Sequence, residues 1–98
     1  MKIIWSPLAI ERTSEIAEYI AKDNPSAARK WVEILFGKVE LLKSSPLSGR
    51  IVPETRREEI RELIYDNYRI IYRVEINKIS ILTVRHGGQI LPIGEIQA

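Results

Sequence analysis

Cysteine is absent from the 98 residues, which excludes a disulfide framework and a thiolate zinc site. The one histidine, His86, cannot build a multi-histidine metal centre. There is no run of about 18 apolar residues, so no membrane span is expected. The N-terminal stretch MKIIWSPLAIERTSE lacks an apolar core of signal-peptide length before charge returns, so the chain is expected to stay in the cytoplasm. There are no repeats and no low-complexity segments. No glycine-rich phosphate loop is present either, because HGGQ at 86–89 is too short and no helix follows it. The neighbours Glu58 and Glu59 would point to opposite faces of a strand, so a hydrolytic carboxylate pair is not evident. No metal and no cofactor is expected.

What remains is an ordinary core-forming composition, 45% hydrophobic, in a chain long enough for one domain. The net charge of +2 is mild, but the bases are unevenly distributed. From Met1 to Gly49 there are five lysines and two arginines; from Arg50 onward there are seven arginines and one lysine. Arginine's planar fork suits carboxylate and phosphate and desolvates more easily than an ammonium group. A partner surface is therefore expected in the second half.

Residues 2–5 form a short β-prone run that ends at Ser6-Pro7, a cap followed by a proline at the first helical position. A helix is expected from Pro7 to about Lys22, with Ala9, Ile16, Ala17 and Ile20 on one face. Asn24-Pro25 stops it and starts a second helix, whose apolar positions Trp31, Val32, Leu35, Phe36, Val39 and Leu42 have amphipathic spacing. So short a connection implies an antiparallel helix hairpin over about 7–44. SSPLSGRIVPE reads as a loop. Strands are expected at about 59–65, 68–76 and 79–85, joined by tight turns at Asp66-Asn67 and Asn77-Lys78, an antiparallel meander over about 59–86. The tail, 87–98, reads as irregular. The fold class is α+β.

Alternation places Tyr68, Ile70, Tyr72 and Val74 on one face of the second strand, the core face, and Arg69, Ile71 and Arg73 on the other. With a two-residue turn at Asn77-Lys78, Val74 pairs with Ile81, Tyr72 with Thr83 and Arg69 with His86. Arg69 and His86 would then set a fixed cation beside a group able to move a proton near neutral pH. A one-residue slip puts Arg85 opposite Arg69 instead. The plainer alternative has both as solvated residues near the sheet end, with Arg69 paired to Glu59 or Glu62.

In ETRREEIRE, residues 54–62, Arg56, Arg57 and Arg61 would meet phosphates or an acidic protein segment. Glu58, Glu59 and Glu62 would form a solvated edge that resists edge-to-edge pairing. Arg50 would bond loop carbonyls or a ligand. Trp5 and Trp31 are expected in the core.

Five stretches in order, IIWSPLA, IAEYIAKDNPSAA, PLSGRIVPE, IRELIYDNYRIIYRV and ISILTVRHGGQ, resemble the RelE/ParE superfamily of type II toxin-antitoxin toxins, nearest its ParE-like branch. The resemblance covers nearly the whole chain and implies a helical hairpin packed on a twisted antiparallel sheet. RelE-like members are ribosome-dependent mRNA endonucleases. By resemblance Arg69 falls at their strand arginine, and Arg85 and His86 fall near their C-terminal catalytic group. No tyrosine follows His86, and ETRREE stands where some nucleases are lysine-rich, so the nuclease set is incomplete. ParE-like members are non-enzymatic inhibitors of DNA gyrase, neutralised by an antitoxin whose disordered segment wraps the toxin. The resemblance therefore implies growth inhibition through gyrase, with ribosome-bound mRNA as the alternative target, and a toxin-antitoxin hetero-oligomer. Arg57, Arg61, Arg69 and Arg73 become the candidate antitoxin- or target-binding residues, with Arg69 and Arg73 projecting from the outer sheet face.

Overall fold

The computed structural model describes residues 1–96. Strand β1 (Lys2–Trp5) leads into α1 (Pro7–Asp23) and α2 (Pro25–Glu40), the latter tightened at its end into a 3-10 turn, Leu41–Lys43. A two-residue strand, β2 (Arg50–Ile51), precedes β3 (Ile60–Tyr65), β4 (Tyr68–Val74) and β5 (Lys78–His86), and a 3-10 turn at Ile93–Glu95 follows. The sheet order is β1-β5-β4-β3-β2. β2 to β5 are antiparallel, and β1 adds to β5 in parallel.

The helix boundaries follow from two caps. Ser6 Oγ accepts from the Ala9 N–H at 3.0 Å and donates to the Leu82 carbonyl at 2.9 Å, so the cap also ties α1 to β5. Asn24 donates its N–H to the last turn of α1 at Ile20 and accepts at Oδ1 from the Ala27 N–H at 3.1 Å, closing one helix and opening the next.

The sheet has apolar material on both faces. On the helix side Trp31, Leu35, Val39 and Leu42 pack on Ile70, Tyr72, Ile79, Ile81 and Val84. Trp5 is half-buried there, edge-on to Phe36 at 4.8 Å. Tyr68 and Val74 are partly buried against the same cluster, which is the core face expected for β4. On the far side Val52, Ile60, Ile71, Leu82, Leu91 and Ile96 form a second cluster. The tail from Gly87 to Ile96 is largely irregular, as expected, but Leu91 and Ile96 bind it to the sheet; positions 97 and 98 of that expectation lie outside the described residues.

Two details of the meander differ from expectation. The Asp66-Asn67 turn is as expected, with Asp66 left-handed at φ 55° and Tyr65 opposite Tyr68. The next turn is not Asn77-Lys78: Glu75 N–H bonds the Lys78 carbonyl at 2.9 Å, so Ile76 and Asn77 sit at the tip and Val74 pairs with Ile79. A bulge between Ile71 and Tyr72 in the ladder then skips Leu82, and Ile71 pairs with Thr83. The physical reason lies in the apolar spacing of β5. Ile81 and Val84 both belong to the helix-side core although three residues apart, which only an extra residue reconciles with alternation.

Candidate functional site

The shifted turn and the bulge together decide which side chains meet. Arg69 pairs with Arg85, and His86 pairs with Tyr68, their rings edge-on at 5.5 Å. The expected Arg69–His86 pair is therefore not formed, and the one-residue slip is what occurs. His86 Nδ1 accepts from the Gly88 N–H at 3.1 Å.

Arg69 does lie on the outer face, but it does not project from it. Its side chain is 8% exposed. Both terminal nitrogens bond Glu54 at 2.8 Å, a bidentate pair, and Nε bonds the fully buried Glu62 at 2.5 Å. The other oxygen of Glu62 accepts from Arg50 Nε at 2.7 Å. The result is a chain of alternating charge, Arg50, Glu62, Arg69, Glu54. The hydrogen bonds from Arg69 hold the Glu54 carboxyl at about 2 against an ordinary 4.5. The same pairing raises Arg69 further above its ordinary value, led by Glu54. Glu62, expected on a solvated edge, is instead the buried centre of this network. It shares the β3 face that turns toward Arg50 and away from the helices.

The other arginines divide by role. Arg61 bonds three backbone carbonyls, Glu58 at 3.0 Å, Leu47 at 3.3 Å and Gly49 at 2.9 Å, and so holds the loop before β2. Arg50, with Glu62 as its partner, makes the ion pair rather than the loop contacts. Arg57 is half-exposed and pairs with Glu59 at 2.6 Å. Arg73 lies at the opposite end of β4 from Arg69, 3.6 Å from Glu75. Arg57, Arg61, Arg69 and Arg73 thus do not form one basic surface.

Two clefts meet at Tyr68. One, about 430 Å³, is lined by Arg50, Glu54, Asp66, Arg69, His86 and the two glycines that follow it. The other, about 440 Å³, lies between α1 and the end of β5, beside Arg12, Arg85, Tyr19 and Gln89. Two residues lining the second, Arg12 and Arg85, donate to Glu95 of the tail at 3.2 and 3.1 Å, and Thr83 Oγ1 donates to the same carboxylate at 2.8 Å. Burial pushes the Tyr68 phenol above its usual value. Sequence reasoning missed Arg12, Glu54 and Glu95. Glu54 stood in a dense run of mixed charge, and the other two carry no local signal, since their contacts span 83 and 10 residues. Among the described residues no group of histidine, aspartate and glutamate side chains is placed to hold a metal ion.

Comparison with known proteins places these elements in a family. Residues 3–91 match the family described as the ParE toxin of the type II toxin-antitoxin system parDE. A Sinorhizobium fredii (strain NBRC 101917 / NGR234) protein, "Putative toxin Y4kP", is 38% identical over 93 residues, 93% of each chain. Among solved structures, a chain of a chromosomal ParDE system from P. aeruginosa superposes with a TM-score of 0.72 at 22% identity, over 88% of this chain and 95% of that one. A chain of the RelBE2 toxin-antitoxin complex from Mycobacterium tuberculosis does so with a TM-score of 0.57 at 23% identity, over 87% and 95%. The two structures share the fold, a helix hairpin on a mixed five-stranded sheet. The match over residues 3–91 and the curated relative decide the family: the chain belongs to the ParE toxins of type II toxin-antitoxin systems.

Proposed function

We propose that this toxin arrests growth by binding DNA gyrase in the cytoplasm, without cutting RNA, and that a cognate antitoxin neutralises it in a hetero-oligomer. The observation that carries the choice of target is the state of Arg69. A nuclease needs a guanidinium free to meet a phosphate; here every donor-bearing nitrogen of that group is engaged by Glu54 or Glu62. His86 pairs with Tyr68 and not with Arg69, so the register does not set the two groups side by side, although both line the same cleft.

The charges around the cleft support the same reading. Arg50 and Arg69 are opposed there by Glu54, Asp66 and the underlying Glu62, an excess of one negative charge apart from His86. A polyanionic strand gains nothing from such a cleft. Arg57 and Arg73, half-buried or exposed, remain the cations suited to an acidic antitoxin segment. Arg61 and Arg69 serve the fold beneath them.

Supercoiling of relaxed plasmid by gyrase, with the purified toxin and with antitoxin added back, tests the proposal. Inhibition that antitoxin reverses is the expected outcome. Active gyrase at an excess of folded toxin, together with cleavage of ribosome-bound mRNA, would overturn it in favour of a nuclease built on Arg85 and His86.

A further inference from the structure

The segment from Gln89 to Ile96 crosses the outer sheet face on few anchors. Leu91 and Ile96 enter the cluster of Val52, Ile60, Ile71 and Leu82, while Ile90 and Ile93 stay 90% and 64% exposed. The polar anchor is Glu95, whose carboxylate accepts from Arg12, Arg85 and Thr83. Arg12 and Arg85 each also keep a buried Nε–H that bonds no acceptor, so the pair offers more donors than Glu95 and Glu15 use. The cleft of about 440 Å³ opens directly beside them.

We propose that Arg12, Arg85 and Thr83 form a docking site for a carboxylate on an acidic, apolar-flanked segment of a partner protein, which replaces Glu95 and lifts the tail from the sheet. Charge sets the class of occupant. With Glu95 in place, Arg12 and Arg85 balance Glu15 and Glu95; with Glu95 withdrawn the site carries one net positive charge, which a single incoming carboxylate cancels. Two guanidiniums and a hydroxyl match the oxygens of a carboxylate. The tail shows the rest of the required pattern, since Leu91, Glu95 and Ile96 engage the apolar cluster and the arginines together. A tethered glutamate competes at an effective concentration on the order of millimolar, so an isolated carboxylate will not displace it. A segment that also fills the places of Leu91 and Ile96 will. Identifying that partner with an antitoxin rests on the function proposed above; the docking chemistry does not, and it is tested without one.

The chain has no cysteine, so Ile93→Cys gives one site for a spin label on the exposed side of the tail. The probe is an acetylated peptide copying residues 89–96, prepared with its glutamate intact, with glutamine there, and with phosphoserine there. The expected result is that the glutamate peptide mobilises the label. The glutamine peptide should need a concentration about tenfold higher, the worth of one charge-assisted hydrogen bond, and Glu95→Gln in the chain should lower the requirement for the glutamate peptide by a similar factor. Arg85→Ala should abolish the difference between the two peptides while circular dichroism shows the fold retained. A label unmoved at millimolar glutamate peptide, or released equally by the glutamate and glutamine peptides, would overturn the proposal. Stronger release by the phosphoserine peptide would overturn the assignment to a carboxylate.

Discussion

Glu62 shows what a single side chain decides in this protein. Its carboxylate is fully buried between Arg69 and Arg50, and removing either partner leaves part of a buried charge without compensation. Arg69→Ala is therefore expected to destabilise the fold by about 3–5 kcal/mol in urea denaturation, the range for breaking a buried pair. Arg73→Ala, with its more exposed ion pair, should cost no more than about 1 kcal/mol, so it is the better probe of partner binding. Glu54 gives a pH dependence whose sign is fixed. Its folded value of about 2 lies below the ordinary 4.5, so its contribution is complete above about 4.5 and is lost as pH falls from there through about 2. Glu54→Gln should lower stability at neutral pH and flatten the acid limb of a stability-against-pH curve between those values. A limb unchanged in the variant would show that other carboxylates carry it. Local pattern placed Arg69 on the outer face and offered Glu62 as its partner. Their burial was not legible, because Glu54, 15 residues from Arg69 in sequence, and the β2 segment supply the cover.

Strand β5 and the loop before β2 show how elements were and were not legible. The caps at Ser6 and Asn24 act within four residues, so both helices could be read from the sequence. The two-residue β2 has no periodicity to detect and forms because Val52 and Arg50 find β3. The tip at Ile76 and Asn77 shifts the register by two residues. The bulge at Leu82, a tertiary choice made so that Ile81 and Val84 both reach the helix-side core, restores one, which leaves His86 one position beyond Arg69's partner. The loop is positioned by an aromatic side chain from β4. Tyr72 Oη accepts from the Gly49 N–H at 2.9 Å and donates to the Pro46 carbonyl at 2.8 Å. A Cβ at position 49 would lie 2.5 Å from Tyr72 Oη and 2.6 Å from the Glu62 carbonyl oxygen. Gly49→Ala should therefore separate the loop from the sheet and cost about 1–3 kcal/mol, the overpacking range, with faster hydrogen exchange at residues 49–52. Unchanged exchange there would mean that Arg61, through its bonds to Leu47 and Gly49, is sufficient to hold the loop.

Across the whole molecule, the sheet separates two environments, and the candidate nuclease groups reach one cleft at its end from strand positions that do not pair. Arg69 belongs to the outer face, locked in its ion network, while His86 sits against Tyr68 at the end of the helix-side core. A nuclease needs its proton-transfer group and a free phosphate-binding cation at one reacting site. Both groups line one cleft, but Arg69 is held there by Glu54 and Glu62 and offers no free cation beside His86. The prediction for the intact protein follows. His86→Ala should leave growth arrest on induced expression, and gyrase inhibition by the purified toxin, within about twofold of the parent, whereas a general acid or base would be worth about 100-fold or more. The ring is exposed and belongs to neither core, so folding survives the change and circular dichroism can verify it before the comparison. A loss near 100-fold in arrest, with the fold intact, would reinstate His86 as a proton-transfer group and require the sheet end to rearrange on its target. Arrest that persists while Arg73→Ala weakens it would instead place the activity on the exposed end of β4, far from His86.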